Sequence, residues 1–234
     1  MEIKTTIDII ILSFAHSPEL MSTTNNCISS LLSSEDPSNI HFNVILIESE
    51  HSLKPYQYPN TTTIYSDLPF GYHRYMNIGV KMTHSPFVCL CNNDLIFHSG
   101  WASAILNAFV KYPTLCSASP ACSMHHPKIG ISLNGAILPG YRIRYEVAGW
   151  CLFLRRDIFR VMGRLDENYK FWCADNDYAN TLWVLNLDHA LVTNSVVDHL
   201  ESKTLHSQSV DRQEELTEKE VYYFDKKWKH RLGW

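Results

Sequence analysis

The stretch of this sequence best suited to chemistry is Pro86–Phe97, Pro-Phe-Val-Cys-Leu-Cys-Asn-Asn-Asp-Leu-Ile-Phe. Five uninterrupted apolar residues, Phe87 to Cys91, predict a strand buried on both faces. The run stops at Asn92-Asn93-Asp94, and apolar chain resumes at Leu95. In an open parallel sheet the carboxyl ends of the strands are where ligands sit. A lone carboxylate buried there is costly unless a cation or hydrogen-bond donors meet it, which makes Asp94 a candidate ligand. The same three residues are good turn formers, and on this window alone both readings stand. A second carboxylate, Glu48, ends the apolar run His41–Glu48.

The elements that must position these groups alternate. Ile7–Phe14 is a β-branched first strand, and Ser17-Pro18-Glu19 opens a helix with Ser as cap and Pro at the first helical position. That helix carries Leu20, Cys27, Ile28, Leu31 and Leu32 inward. Further strands are expected at 41–48, 61–65, 86–97 and 116–121, with helices at 71–82 and 101–112, the latter capped by Ser99. Such alternation over the first 120 residues implies a parallel, right-handed βαβ sheet. Beyond it the pattern predicts a Gly/Pro-punctuated region at 125–145, a strand over Glu146–Leu154, a short helix over Arg156–Met162 and a helix over Asp175–Leu185. Two short strands at 190–193 and 196–199 and a charged terminal helix over 214–229 complete the chain. Neither a GxGxxG nor a Walker pattern is present.

Composition narrows the class. With 45% hydrophobic and 12% aromatic residues, 234 residues suffice for one α/β domain with a sizeable core. A net charge of −4 gives no global attraction to nucleic acid or anionic lipid. The seven cysteines are odd in number, form no CxxC pair and lie partly in apolar runs. They predict buried free thiols in a reducing compartment rather than a disulfide framework or zinc site. No apolar stretch reaches the ~20 residues of a membrane helix, and no signal peptide is recognised at Ile9–Leu12; the expected location is cytoplasmic.

Four segments in order carry a resemblance: Arg74-Tyr-Met-Asn77-Ile-Gly79; Asn92-Asn93-Asp94; Gly149-Trp-Cys-Leu-Phe-Leu-Arg155-Arg156 running into Gly163-Arg-Leu-Asp166-Glu167; and Trp172-Cys-Ala-Asp175-Asn-Asp177. Asp198-His199 is a fifth, weaker one. Together they resemble the inverting GT-A glycosyltransferases, in particular family 2 and its rhamnosyltransferase-like members. The resemblance implies a GT-A, nucleotide-diphospho-sugar transferase fold, with a mostly parallel central sheet flanked by helices and a Rossmann-like N-terminal half. It implies one catalytic domain over 1–210, divided into a nucleotide-binding half (1–120) and an acceptor half (121–210), with a C-terminal helix and basic tail over 211–234.

What the resemblance implies for the site is specific. Asp175 is the general base; its position also permits it to cap the following helix. Asp94 and His199 are the ligands of Mn²⁺ or Mg²⁺, although the family's Asp-x-Asp is here Asn-Asn-Asp, with one carboxylate in place of two. Ser13, Phe14, Glu48, Arg74, Asn77, Asn93, Asp94 and Gly149 contact the donor, a nucleoside-diphosphate sugar with UDP favoured. In particular, Arg74 lies near the diphosphate, Glu48 reads the base and Gly149 admits the sugar. Trp172 and Asp177 face the acceptor, Asp177 alternatively bracing its loop. The acceptor is a glycan, a lipid-linked sugar, a small molecule or a hydroxylated nucleobase in DNA, the last raised by Lys226-Lys-Trp-Lys-His-Arg231, a run whose usual explanation is a solvated helix end. A non-catalytic nucleotide-sugar or nucleic-acid binding module and a nucleotidyltransferase are the alternatives.

Overall fold

The structure, a computed structural model, describes residues 4–200, 220–229 and 231. The polar stretch Ser202–Arg212 and the expected start of the terminal helix at Glu214 lie outside these residues. The chain opens with β1 (Thr5–Ser13), whose isoleucines are fully buried. In α1 (Pro18–Ser33) the Ser17 hydroxyl accepts the Leu20 N–H at 3.3 Å, and Pro18 fills the first turn as the sequence predicts. β2 (Ile40–Glu48), β3 (Thr62–Tyr65) and α2 (Tyr72–Met82) follow. Gly79 lets α2 lie directly on β1, because a Cβ there would stand 2.5 Å from Ile10 Cγ2.

The expected strand over Pro86–Phe97 is two strands, β4 (Phe87–Asn92) and β5 (Leu95–Phe97), broken at Asn93-Asp94. α3 (Trp101–Lys111) is not capped by Ser99: its first-turn N–H groups at Ala102 and Ser103 donate to Glu35 at 2.8 and 2.9 Å. β6 (Leu115–Ala121) and a short β7 (Ile137–Pro139) lead to β8 (Cys151–Arg155). The strand expected from Glu146 begins only at Cys151, because Arg142 folds back onto Glu146 and Arg144 adopts a left-handed backbone, φ 64°. After α4 (Phe159–Met162) and α5 (Ala174–Val184), the two strands expected near 190–199 form one, β9 (Asp188–His199). Its polar interruption is absorbed: Thr193 and Ser195 donate to the carbonyls of Ala136 and Trp101. Residues 220–229 are helical.

The nine strands form one sheet in the order β3-β2-β1-β4-β8-β6-β9-β5, with β7 against β9. β3, β2, β1 and β4 are mutually parallel, β8 reverses, and β6 and β9 resume the first direction. One apolar layer packs α1 and α3 on the sheet; the other packs α2 and α5. The β5–β9 pairing sets Leu95 opposite His199, and this brings the break after β4 to the end of β9. Among the described residues no helix is long and apolar enough to cross a membrane.

Candidate active site

A cleft of about 570 Å³ opens at the sheet edge formed by the ends of β4 and β9 and the start of β8. Asn92, Gly149, Trp150, Trp172, Asp175 and His199 line it, with Arg144 and Tyr72 at its walls. Asp94 stands behind His199, its Oδ1 3.3 Å from His199 Nε2. The expected base, Asp175, and one expected cation ligand, His199, therefore line the same hollow, with the other, Asp94, behind the imidazole.

Asp94 Oδ1 and His199 Nε2 are both buried, and neither has a hydrogen-bond partner among the described residues; close as they are, they are misaligned for one to each other. The Trp150 ring stacks on His199, centroids 5.1 Å apart and planes within 8°, and the Leu200 N–H donates to the Asp94 carbonyl. Backbone and ring are thus held while Asp94 Oδ1 and His199 Nε2 stay without a hydrogen bond among the described residues. A buried polar atom without a partner is costly. One carboxylate oxygen and one imidazole nitrogen 3.3 Å apart are a donor set that suits a divalent cation such as Mn²⁺. Among the described residues Asp94 and His199 fit such an ion; donor oxygens would complete its shell.

Asp175 lies in the first turn of α5, where its Oδ1 accepts the Asn176 N–H at 2.9 Å. Burial raises its pKa against that hydrogen bond and the nearby Arg144 charge. An aspartate held above its ordinary range is a better proton acceptor when ionised. Gly149 serves this residue: a Cβ at 149 would lie 2.6 Å from the Asp175 Cβ. At Gly149, where close approach of a donor sugar is expected, the close approach is that of Asp175 itself.

Other expected contacts are spent elsewhere. Arg74 bonds Glu167 and the Pro69 carbonyl, away from the cleft. Asn77 buckles α2 to the loop ahead of Asp175, donating to the Leu165 carbonyl and accepting the Leu165 N–H. Asn93 points inward and donates to Thr24 and Ser13. Glu48 is fully buried and accepts from the Ala15 and Glu50 N–H groups and the Tyr58 hydroxyl, so it shapes the loop after β1 rather than presenting a free carboxylate to a base. Ser13 is buried too, bonded to Thr24. Phe14 is half-buried just after β1, beside His16 with ring centroids 4.7 Å apart. Asp177 is turned away from the cleft and bonded to Lys227 and Trp228, which is the bracing alternative rather than an acceptor contact. Trp172, 45% exposed, lines the cleft.

Arg144 was not legible in the sequence as a site residue; its signal is structural, a non-glycine residue in left-handed backbone at the cleft wall. The terminal basic run is partly committed, Lys227 to Asp166 and Asp177 and Lys229 to Asp225. All seven cysteines are free thiols. Cys89, Cys91 and Cys151 cluster within 4.8 Å in the core, where burial pushes each thiol far up.

No family model matches the sequence, and no curated protein matches it. Solved structures do match in fold. GalNAc-T7, in a crystal structure with UDP, GalNAc and Mn²⁺, superposes with a TM-score of 0.66 at 12% identity over 85% of this chain. TarS (residues 1–349) of S. aureus gives 0.56 at 10% identity over 82%. The catalytic domain of Drosophila β1,4-galactosyltransferase 7, in complex with xylobiose, gives 0.55 at 13% identity over 91%. This chain spans 44%, 59% and 79% of those chains. The fold is GT-A.

Proposed function

We propose that the protein is an inverting glycosyltransferase that moves a sugar from a nucleoside diphosphate, UDP favoured, to an acceptor hydroxyl. The observation that carries this is that Asp175 and His199 line one cleft, with Asp94 3.3 Å behind the imidazole and neither Asp94 Oδ1 nor His199 Nε2 hydrogen-bonded among the described residues. The crystallised GT-A neighbour with UDP, GalNAc and Mn²⁺ supports the donor class and a divalent metal.

In this reading Asp94 and His199 hold Mn²⁺ or Mg²⁺. When bound, the cation neutralises charge gathering on the departing diphosphate. Arg144, at the cleft wall, supplies a further positive charge toward the same oxygens. Phe14 offers its ring to the nucleobase at the end of β1. Trp172 offers a face to a sugar ring of the acceptor. Asp175 takes the proton of the acceptor hydroxyl as that oxygen bonds to the anomeric carbon; the bond to the diphosphate breaks and its electron pair leaves with the nucleotide. Attack opposite the leaving group inverts the centre in a single displacement. Commitment of Lys227 and Lys229 to carboxylates favours a glycan or small-molecule acceptor over DNA. The seven free thiols fit a reducing, cytoplasmic setting.

Thermal shifts with UDP-, GDP- and dTDP-sugars, each with and without Mn²⁺, test the proposal, since a ligand stabilises by mass action. Metal-dependent stabilisation by one of them, with nucleotide released on addition of acceptor, is expected. No donor stabilising the protein, with or without metal, would overturn it.

A further inference from the structure

The helical residues 220–229 meet the rest of the chain through a concentrated set of polar contacts, and these contacts bracket Asp175. Upstream of the base, buried Glu220 accepts the Lys170 and Phe171 N–H groups at 2.9 and 3.0 Å. Lys227 donates to Asp166 at 2.7 Å, joined there by the Tyr223 hydroxyl at 3.1 Å. Downstream, the same ammonium reaches Asp177 at 2.7 Å, and the buried Trp228 ring donates to that carboxylate at 2.8 Å. One lysine thus ties residues 166 and 177 together, with the base between them.

The segment so held needs holding. Cys173, two residues before Asp175, sits at φ 55° and caps α5 with no side-chain hydrogen bond. Left-handed backbone at a non-glycine residue persists only where the surroundings over-determine it. The Lys170 carbonyl also accepts the Tyr72 N–H, so the clasped loop is joined to the cleft wall at the start of α2. None of Glu220, Lys227 and Trp228 lines the cleft, so they act on the base only through this loop.

We propose that the 220–229 helix is a positioning brace: Glu220, Lys227 and Trp228 fix residues 166–177 in the conformation that aims Asp175 into the cleft, coupling helix docking to turnover. This rests on the transferase reading for the role of Asp175, while the clasp itself is independent of it.

The test uses the full chain carrying Glu220→Gln or Lys227→Met, with Trp228→Phe as the milder third variant should either fail to fold. Turnover of a UDP-sugar, metal-dependent UDP binding and hydrogen exchange over residues 166–177 are measured together. Expected are faster exchange in that segment and a kcat lowered about 10–100-fold. The donor KM and UDP affinity stay within about twofold, because only positioning has been lost. A lower Tm with unchanged kcat and unchanged exchange would overturn the brace and leave the helix a stability element. Should wild-type protein turn over no donor, the transferase reading falls, and exchange over 166–177 decides the brace by itself, faster supporting it and unchanged overturning it.

Discussion

Two polar clusters stand side by side on one edge of the sheet. At the ends of β1 and β2, Ser13, Thr24, Glu48, Tyr58 and Asn93 are buried and bonded to one another or to loop N–H groups. At the ends of β4 and β9, Asp94 Oδ1, His199 Nε2 and the Trp150 indole N–H are buried without hydrogen-bond partners among the described residues, and Asp175 is held above its ordinary pKa by burial. Both clusters contain a buried carboxylate at a strand end, and the sequence does not distinguish them. The first is closed, its donors and acceptors balanced within the protein. The second is open, and in a folded protein unbalanced buried polarity marks where something else is meant to bind.

Substitutions in the open cluster should therefore cost activity, and those in the closed one stability. The largest effect belongs to Asp175→Asn: steady-state assays should show kcat lower by about 10²–10⁴-fold, with UDP binding kept. Burial raises the Asp175 pKa in the folded state, so the stability it contributes is present at low pH and lost as pH rises through that raised value. The asparagine variant should accordingly match or exceed the wild-type Tm at neutral pH; a clear fall in Tm with normal kcat would erase the contrast between the clusters. Next, Asp94→Ala and His199→Ala should each weaken Mn²⁺-dependent UDP binding by at least the ~10–100-fold that even outer partners of a metal site cost, and titration calorimetry with and without metal measures it. Gly149→Ala should lower kcat more than it raises the donor KM, because its methyl displaces the base.

On the closed side, Glu48→Gln should cost about 1–3 kcal/mol in denaturant unfolding, leaving buried N–H groups poorly matched, while kcat stays near wild type. Lost donor binding at unchanged stability would place Glu48 in the open class. The smallest effect is a pH trend. Burial works against ionised Asp166, but Lys227 and Asn168 outweigh it and bring its pKa to about 2. Its contribution to stability should be present above the ordinary carboxylate range and fade as pH falls toward 2, whereas the acid limb of kcat/KM, set by Asp175, should lie above that range.

The alternating first half was legible because each β-branched run and each cap obeys a local rule: Ser17-Pro18 starts α1, and Val88–Cys91 is buried as its composition demands. Asp94, Asp175 and His199 could be singled out because each lies in a motif of recognisable order. Long-range partners were not legible. Nothing local tells that Glu48 and Asn93 are consumed by neighbours, that Glu35 rather than Ser99 serves α3, or that Thr193 and Ser195 find carbonyls inside a continuous β9. Arg144 and the clasp of Lys227 on Asp166 and Asp177 likewise depend on segments that meet only after folding.

The pairing of three-residue β5 with the end of β9 has a consequence beyond placing two ligands. It is the short seam by which the 94–95 bend meets residues 198–199, joining points about a hundred residues apart in the chain. An ion gripped by Asp94 and His199 together would rivet that seam, adding a tie between the ends of this loop to the strand pairing and the Leu200–Asp94 and His98–Asp198 bonds that already join them. Metal loading should then slow the parting of β9 from β5, and with it the unravelling of the sheet from its far margin.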